Sequence, residues 1–341
     1  MPEVPGRTLL LYGPPQTGAA HEPITWTAMT PRLLVYNQHA DRFRRALAAG
    51  FPGVAILAAT TRAEALAHAP GAQVLVALDS RFEDALVSAA PDLVWIQALS
   101  TGTDVIDRLK TLDRRRVMVT TTRGIHGPQM SEITLMHMLA LSRRLPKMLR
   151  NQQDRRWERW EQPLLWRKTV AILGVGAIAG DMARCFSAFG MTVLGISRTE
   201  REVEHFERIY PRSRMKEAVA LADYLVVLAP HSKENDRLVG AGVLAAMKPG
   251  AYLVNVSRGG VVDEPALVDA LRRGAIAGAG LDVYASEPLP EDHPLWSLEN
   301  VILTPRVGGM SDVYVEQCLP LLCANLRAFL AGDTAGMVNR V

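Results

Sequence analysis

A strand that runs straight into glycines constrains this chain more than any other feature. Residues 168–180 read KTVAILGVGAIAG, and DMARCFSAFG follows with a helical pattern. The apolar run ends at Gly174-x-Gly176-x-x-Ala179. Gly174 permits a tight turn, Gly176 lets backbone approach a pyrophosphate, and Ala179 lets the helix pack close to the strand. The start of that helix offers N–H donors and a partial positive charge, which suit phosphate. With the next strand, MTVLGIS (191–197), the segment predicts a dinucleotide-binding βαβ unit.

The tip of that next strand bears on which dinucleotide. An acid there would accept hydrogen bonds from the ribose hydroxyls of NAD and would repel a 2′-phosphate. The chain has Ser197, Arg198 and Thr199 and no acid. Two hydroxyls can donate to a phosphate, and a guanidinium can fork onto it or stack on adenine. NADP(H) is therefore expected in preference to NAD(H), with a merely solvated Arg198 and dual use as the alternative.

Around this unit, strand-like and helical segments alternate. Strands are expected at 32–37, 54–57, 73–78, 93–99 and 117–121, with helices such as HADRFRRALAAG and TRAEALAHA between them. A long helix is expected from about Pro128 to Asn151. More strands are expected at 224–229, 252–257, 278–283 and 300–304, and a closing helix in which Pro320 makes a kink or a break. This alternation predicts parallel sheets with both faces covered. Residues 1 to about 30 lack periodicity, although RTLLLYG could be an edge strand.

Composition excludes several classes. The 341 residues exceed one average domain and suit two, and with 48% hydrophobic and 21% charged residues the balance is that of a globular protein. No apolar run reaches transmembrane length and no secretory signal is visible, so a cytoplasmic protein with no membrane partner is expected. With 38 basic and 35 acidic residues the charge is too even to imply nucleic acid. Cys185, Cys318 and Cys323 share no metal spacing and form no disulfide framework. The basic clusters at Arg42–Arg45 and Arg114–Arg116 read as solvated faces. Arg155, Arg156 and Arg159, interleaved with Trp157 and Trp160, could form a subunit contact or reach a neighbouring site.

Four stretches together resemble the D-isomer-specific 2-hydroxyacid dehydrogenases, most closely their glyoxylate/hydroxypyruvate reductase branch. They are GVGAIAGDMARCFSAFGMTV, MKPGAYLVNVSRGGVVDEPALVDAL (247–271), GAIAGAGLDVYASEPLP (274–290) and NVILTPRVGG (300–309). The resemblance implies two doubly wound α/β domains with a cleft between them. A Rossmann cofactor domain (125–308) would be inserted into a flavodoxin-like substrate domain (1–124 and 309–341). It also implies a homodimer that moves a hydride between NADP(H) and a small 2-oxo or 2-hydroxy acid. By position, Arg258 matches the arginine that holds the substrate carboxylate and carbonyl, and Glu287 the glutamate that tunes the general acid. The loop Ser100-Thr101-Gly102 matches the turn whose N–H groups grip the carboxylate. Gly174, Gly176, Ala177, Ile178, Ser197, Arg198, Thr199, Ala229, Pro230, Val256, Ser257 and Asp282 match cofactor contacts. Asp282 could equally be a structural acid at a strand end.

One departure matters. The family's general acid is the histidine of Thr-Pro-His, and this chain has Thr304-Pro305-Arg306. A histidine titrates near neutrality. An arginine side chain holds its proton far above neutral pH, so giving it up at pH 7 costs roughly 7 kcal/mol. Three readings stay open. Arg306 could pair with Glu287 and stabilise the developing alkoxide while water delivers the proton. It could instead bind an extra anionic group while another residue acts as acid, with His126 the best placed and His231 and His293 more plainly structural. Or the chain could bind cofactor without turnover, as a regulatory protein.

Overall fold

In the computed structural model, which describes residues 30–341, the chain divides into two compact units. One comprises the residues through Arg123 with Val315–Val341, and the other is Gly124–Tyr314. The RTLLLYG segment lies outside the described residues.

The first unit follows the expected alternation: β1 (Arg32–Tyr36), α1 (Ala40–Gly50), β2 (Ala55–Ala59), α2 (Arg62–His68), β3 (Val74–Ala77), α3 (Asp84–Ser88), β4 (Trp95–Ala98) and β5 (Met118–Thr121). Its five strands are parallel in the order β2-β1-β3-β4-β5, the flavodoxin-like winding. A buried polar chain ties the C-terminal helix to this sheet. Trp95 Nε1 donates to Thr120 Oγ1 (2.8 Å) and Thr120 Oγ1 donates to Gln97 Oε1 (2.8 Å). Asn325 Nδ2 donates to the same Gln97 oxygen (3.0 Å). Every partner is satisfied, so burial of these groups carries no unpaired cost.

The second unit contains α4 (Gly127–Ser142), α5 (Leu145–Gln153), β6 (Thr169–Leu173), α6 (Ala177–Ala188), β7 (Thr192–Ser197), β8 (Arg208–Pro211), α7 (Met215–Leu221), β9 (Tyr224–Val227), α8 (Ala241–Leu244), β10 (Tyr252–Asn255), α9 (Glu264–Arg272), β11 (Gly278–Leu281) and β12 (Val301–Leu303). Seven parallel strands run in the order β12-β11-β10-β9-β6-β7-β8, which is the Rossmann winding. Residues alternate between its two faces. Ala171, Leu173, Leu225, Val227 and Leu253 enter one core, while Val170, Ile172, Val226 and Val254 enter the other. A sheet buried on both sides needs this nearly continuous apolar run.

Three elements differ from expectation. The long helix after Pro128 is two helices. Arg144 takes a left-handed conformation (φ 56°), and Pro146 can follow only at the start of a new helix, because its ring and missing N–H end an old one. β8 is an unexpected edge strand of four residues ending in Pro211. The closing helix α10 (Tyr314–Leu330) is not broken and runs through Pro320. Among the described residues no helix is long and apolar enough to cross a membrane.

Candidate active site

All seven strands of the second sheet end at one edge, and their register decides which residues arrive there together. Leu173 lies opposite Ile196 and Val227, Asn255 opposite Val227 and Leu281, and Leu281 opposite Leu303. Ser197 therefore ends β7, and Gly174, Ala229, Ser257, Asp282 and Thr304 follow β6, β9, β10, β11 and β12, in that spatial order. Ligands of such sheets bind beyond these strand ends, where the winding reverses. Here that point lies between β6 and β9.

The glycine turn has the geometry its sequence implies. Gly174 has φ +105°, and a Cβ there would sit 2.7 Å from the Ala229 backbone nitrogen. Only glycine fits. At Gly176 a Cβ would meet nothing within 4 Å. No protein atom excludes a side chain at this position, so its absence serves to leave the helix start accessible. Helix α6 begins at Ala177 and Ile178 with no side-chain cap. Its first N–H groups are thus available to an anion, and the cradle fits a pyrophosphate.

At the tip of β7, Ser197 Oγ donates to the Thr199 carbonyl (2.6 Å) and accepts from Arg201 Nη1 (3.1 Å). Arg201 Nη2 donates to the Val175 carbonyl (2.9 Å), so this guanidinium spans the glycine turn and the strand tip. Arg198 is exposed and makes no hydrogen bond or ion pair with the described residues. Sequence reasoning passed over Arg201. The signal was a second arginine three positions after Arg198.

Beyond β9, Ala229 is buried and Pro230 exposed. Beyond β10, Val256 and Ser257 are buried. The buried Asn255 folds the loop that carries Arg258. Its Nδ2 donates to the Arg258 carbonyl (3.1 Å), and its Oδ1 accepts from the Ser257 N–H and hydroxyl (both 3.1 Å). Arg258 Nη1 donates to the Ser257 carbonyl (2.9 Å). A Cβ on Gly259 would lie 1.9 Å from the Tyr284 carbonyl, so the Arg258 loop presses directly on the segment that leads to Glu287.

Glu287 and Arg306 are brought together. Arg306 Nη1 donates to Glu287 Oε2, and Glu287 Oε1 accepts from the Tyr284 N–H (3.2 Å). The Tyr284 hydroxyl lies 2.8 Å from the Thr304 carbonyl and 3.0 Å from that of Leu281, holding the ends of β11 and β12 together. Burial pushes its pKa up to about 12. Asp282, 3% exposed, is fully engaged within the protein. It accepts from Thr304 Oγ1 (2.6 Å), from the Val307 N–H (3.0 Å) and from the Gly308 N–H (2.9 Å).

The histidines resolve differently. His126 precedes α4, is 7% exposed, and has Nε2 3.4 Å from the Tyr314 hydroxyl. Burial pushes its pKa down to about 4, so at neutral pH it carries no proton to give as an acid. His231 Nε2 meets Asp236 Oδ1 at 2.9 Å. His293 accepts from the Leu295 N–H through Nδ1 (3.3 Å), and its Nε2 lies 3.2 Å from Glu264. In the first unit, the Ser100-Thr101-Gly102 loop follows β4, with Ser100 Oγ donating to the Gly102 carbonyl (2.9 Å). Beside it, the Asp79 carboxylate accepts the N–H groups of Val105 and Ile106 (2.9 and 3.0 Å).

Comparison with known proteins gives consistent matches. A family model described as D-isomer specific 2-hydroxyacid dehydrogenase, NAD binding domain, matches residues 135–308. A glyoxylate reductase of Korarchaeum cryptofilum is 34% identical over 254 residues, covering 72% of this chain and 75% of that protein. The crystal structure of a D-isomer specific 2-hydroxyacid dehydrogenase family protein from Aeromonas salmonicida has a TM-score of 0.84 at 33% identity, covering 92% of this chain and 99% of the other. That of an NADPH-dependent glyoxylate/hydroxypyruvate reductase from Sinorhizobium meliloti, in complex with NADP and sulfate, has a TM-score of 0.78 at 26% identity, covering 91% and 98%.

Proposed function

Because the chain belongs to the D-isomer specific 2-hydroxyacid dehydrogenase family and is an oxidoreductase, we propose that it reduces a small 2-oxo acid of the glyoxylate or hydroxypyruvate type with NADPH. The observation that carries this reading is the Arg306–Glu287 pair at the strand edge that also bears Arg258. Of the readings open for Arg306, electrostatic catalysis is the one that requires this pairing.

The glycine cradle of Gly174, Gly176, Ala177 and Ile178 would hold the pyrophosphate, and the bound nicotinamide supplies a hydride. Arg258 orients the substrate, because its planar fork matches two oxygen acceptors lying in one plane, as in a 2-oxo acid. Arg306 donates hydrogen bonds to the carbonyl oxygen as it becomes an alkoxide. A preformed positive donor is worth most where charge develops away from bulk water. Glu287 fixes the guanidinium in place. Arg306 keeps its own proton, and water delivers the one that ends on the oxygen. NADPH oxidation with a panel of 2-oxo acids tests this. Folded protein that binds NADPH yet turns over none of them would replace the proposal with a cofactor-binding regulatory role.

NADPH in preference to NADH rests on the acid-free tip of β7 with Arg198 and Arg201 beside it. Arg198→Ala is expected to weaken NADPH binding about tenfold, the scale of a lost charge-assisted hydrogen bond. NADH binding should barely change. Equal losses with both cofactors in a fluorescence titration would remove the assignment. A homodimer is part of the same reading. Trp157, Trp166 and Leu149 are 92%, 57% and 51% exposed and offer apolar surface to a second copy. A monomeric mass in sedimentation equilibrium would refute it.

A further inference from the structure

Helix α4 packs against β10, β11 and β12 and carries one histidine inside an apolar stretch, Leu135-Met136-His137-Met138-Leu139. His137 is completely buried. It packs against β11, where a Cβ added to Gly280 would be 2.7 Å from the His137 Cβ and 2.8 Å from both Cγ and Nδ1 of the imidazole. Among the described residues Nδ1 has no hydrogen-bond partner, while Nε2 is 3.1 Å from Thr304 Oγ1.

The neighbours determine the tautomer. Thr304 Oγ1 is 2.6 Å from Asp282 Oδ1, and of the two only the hydroxyl has a proton to donate. The Thr304 oxygen is then an acceptor toward His137, so the imidazole proton sits on Nε2. A directed chain results, from His137 Nε2–H to Thr304 Oγ1–H to Asp282. A leucine would fill this apolar space without leaving a buried nitrogen unpaired. An orphaned buried acceptor is destabilising. What the histidine supplies in exchange is the donor to Thr304.

That donor acts where Arg306 is held. Asp282 accepts Thr304 Oγ1 on one side of Pro305-Arg306 and the N–H groups of Val307 and Gly308 on the other. One carboxylate thereby fastens both ends of the segment. Arg306 itself has φ +55°, a left-handed conformation that is unfavourable for a non-glycine residue. Such a conformation persists only where its surroundings over-determine it. The fastening directs the guanidinium to Glu287.

We infer that His137 is a positioning residue for Arg306, acting through Thr304 and Asp282. The inference rests on the role proposed above for Arg306. His137→Leu is expected to lower kcat for glyoxylate about tenfold to a hundredfold, the scale of a small misplacement of a catalytic group. KM and NADPH affinity should stay within about twofold of the natural chain, since the losses fall on the transition state. His137→Gln, whose amide can still donate to Thr304, should recover most of the rate. Thr304→Val should resemble His137→Leu, and the double variant should be no slower than Thr304→Val alone, because both changes cut one chain.

A readout independent of turnover separates this inference from the activity itself. The Arg306 guanidinium resonances, assigned by their disappearance in Arg306→Lys, should show rotation about Nε–Cζ slowed by the Glu287 pair in the natural chain. This slowing should be lost in His137→Leu and kept in His137→Gln. Should the natural protein reduce no 2-oxo acid, the proposed activity fails while these spectra still decide the positioning role. Unchanged rotation of the Arg306 guanidinium in a folded His137→Leu protein, or rate losses that add in the double variant, would overturn it. If His137→Leu does not fold, Thr304→Val and His137→Gln supply the same comparison.

Discussion

Arg306→Met is expected to reduce glyoxylate about 10²–10³-fold more slowly than the natural chain, the usual loss when one donor to a developing oxyanion is removed. NADPH affinity should not change. Methionine keeps the length and apolar stem of arginine and removes the charge and the donors. The Glu287 carboxylate then loses its guanidinium partner and keeps the Tyr284 N–H. Both effects act more strongly on the transition state, where the carbonyl oxygen gains negative charge, than on the neutral carbonyl of bound substrate. The loss should therefore fall mainly on kcat. Arg306→Lys retains charge without the planar fork and should lie between the two. Arg306→His places a group that titrates near neutrality where the natural chain has one that does not. Its pH–rate curve should gain a falling limb through neutral pH that the natural protein lacks. Undiminished turnover in Arg306→Met, measured by NADPH oxidation, would exclude a catalytic role for this side chain.

How much of this was legible follows from where each residue's partners lie. The turn at Gly174 could be read because its demands act within a few residues. The strands of both units were legible from their apolar runs. β8 was not, since an edge strand of four residues ending in Pro211 has neither length nor alternation. The break between α4 and α5 had a local signal in Pro146, and an uninterrupted helix across it overlooked that signal. Arg258, Glu287 and Arg306 stood in stretches whose resemblance to a family carried their positions. Arg201 and His137 stood in no such pattern. Arg201 is defined by the Val175 carbonyl, 26 residues away, and His137 by Thr304, 167 residues away. A histidine inside an apolar helix is conspicuous in sequence, but the bond it forms belongs to the fold. Asp282 had two readings, and the structure shows its carboxylate accepting Thr304, Val307 and Gly308.

The second large effect is acid lability confined to one unit. His126 and His137 are 7% and 0% exposed, and burial pushes both pKa values from 6.5 down to about 4. For His137 the nearby Asp282 pulls the other way without overcoming burial. Between about pH 6.5 and 4 the unfolded chain binds protons at both positions and the folded chain does not. Stability contributed by the neutral rings is therefore complete above pH 6.5 and is lost as pH falls toward 4. A shift of this size corresponds to about 3 kcal/mol for each histidine. The two losses together rival the 5–15 kcal/mol that holds a typical domain folded. Both residues lie in Gly124–Tyr314, so its calorimetric transition should drop steeply across this range while that of the other unit moves less. His126→Phe and His137→Leu should each flatten the dependence by about half, whatever they do to stability at pH 7. A transition temperature for Gly124–Tyr314 that holds level from pH 6.5 to 4.5 would mean that these imidazoles are protonated in the folded protein, with a second proton on the buried Nδ1 of His137 and the Nε2–H donor to Thr304 unchanged.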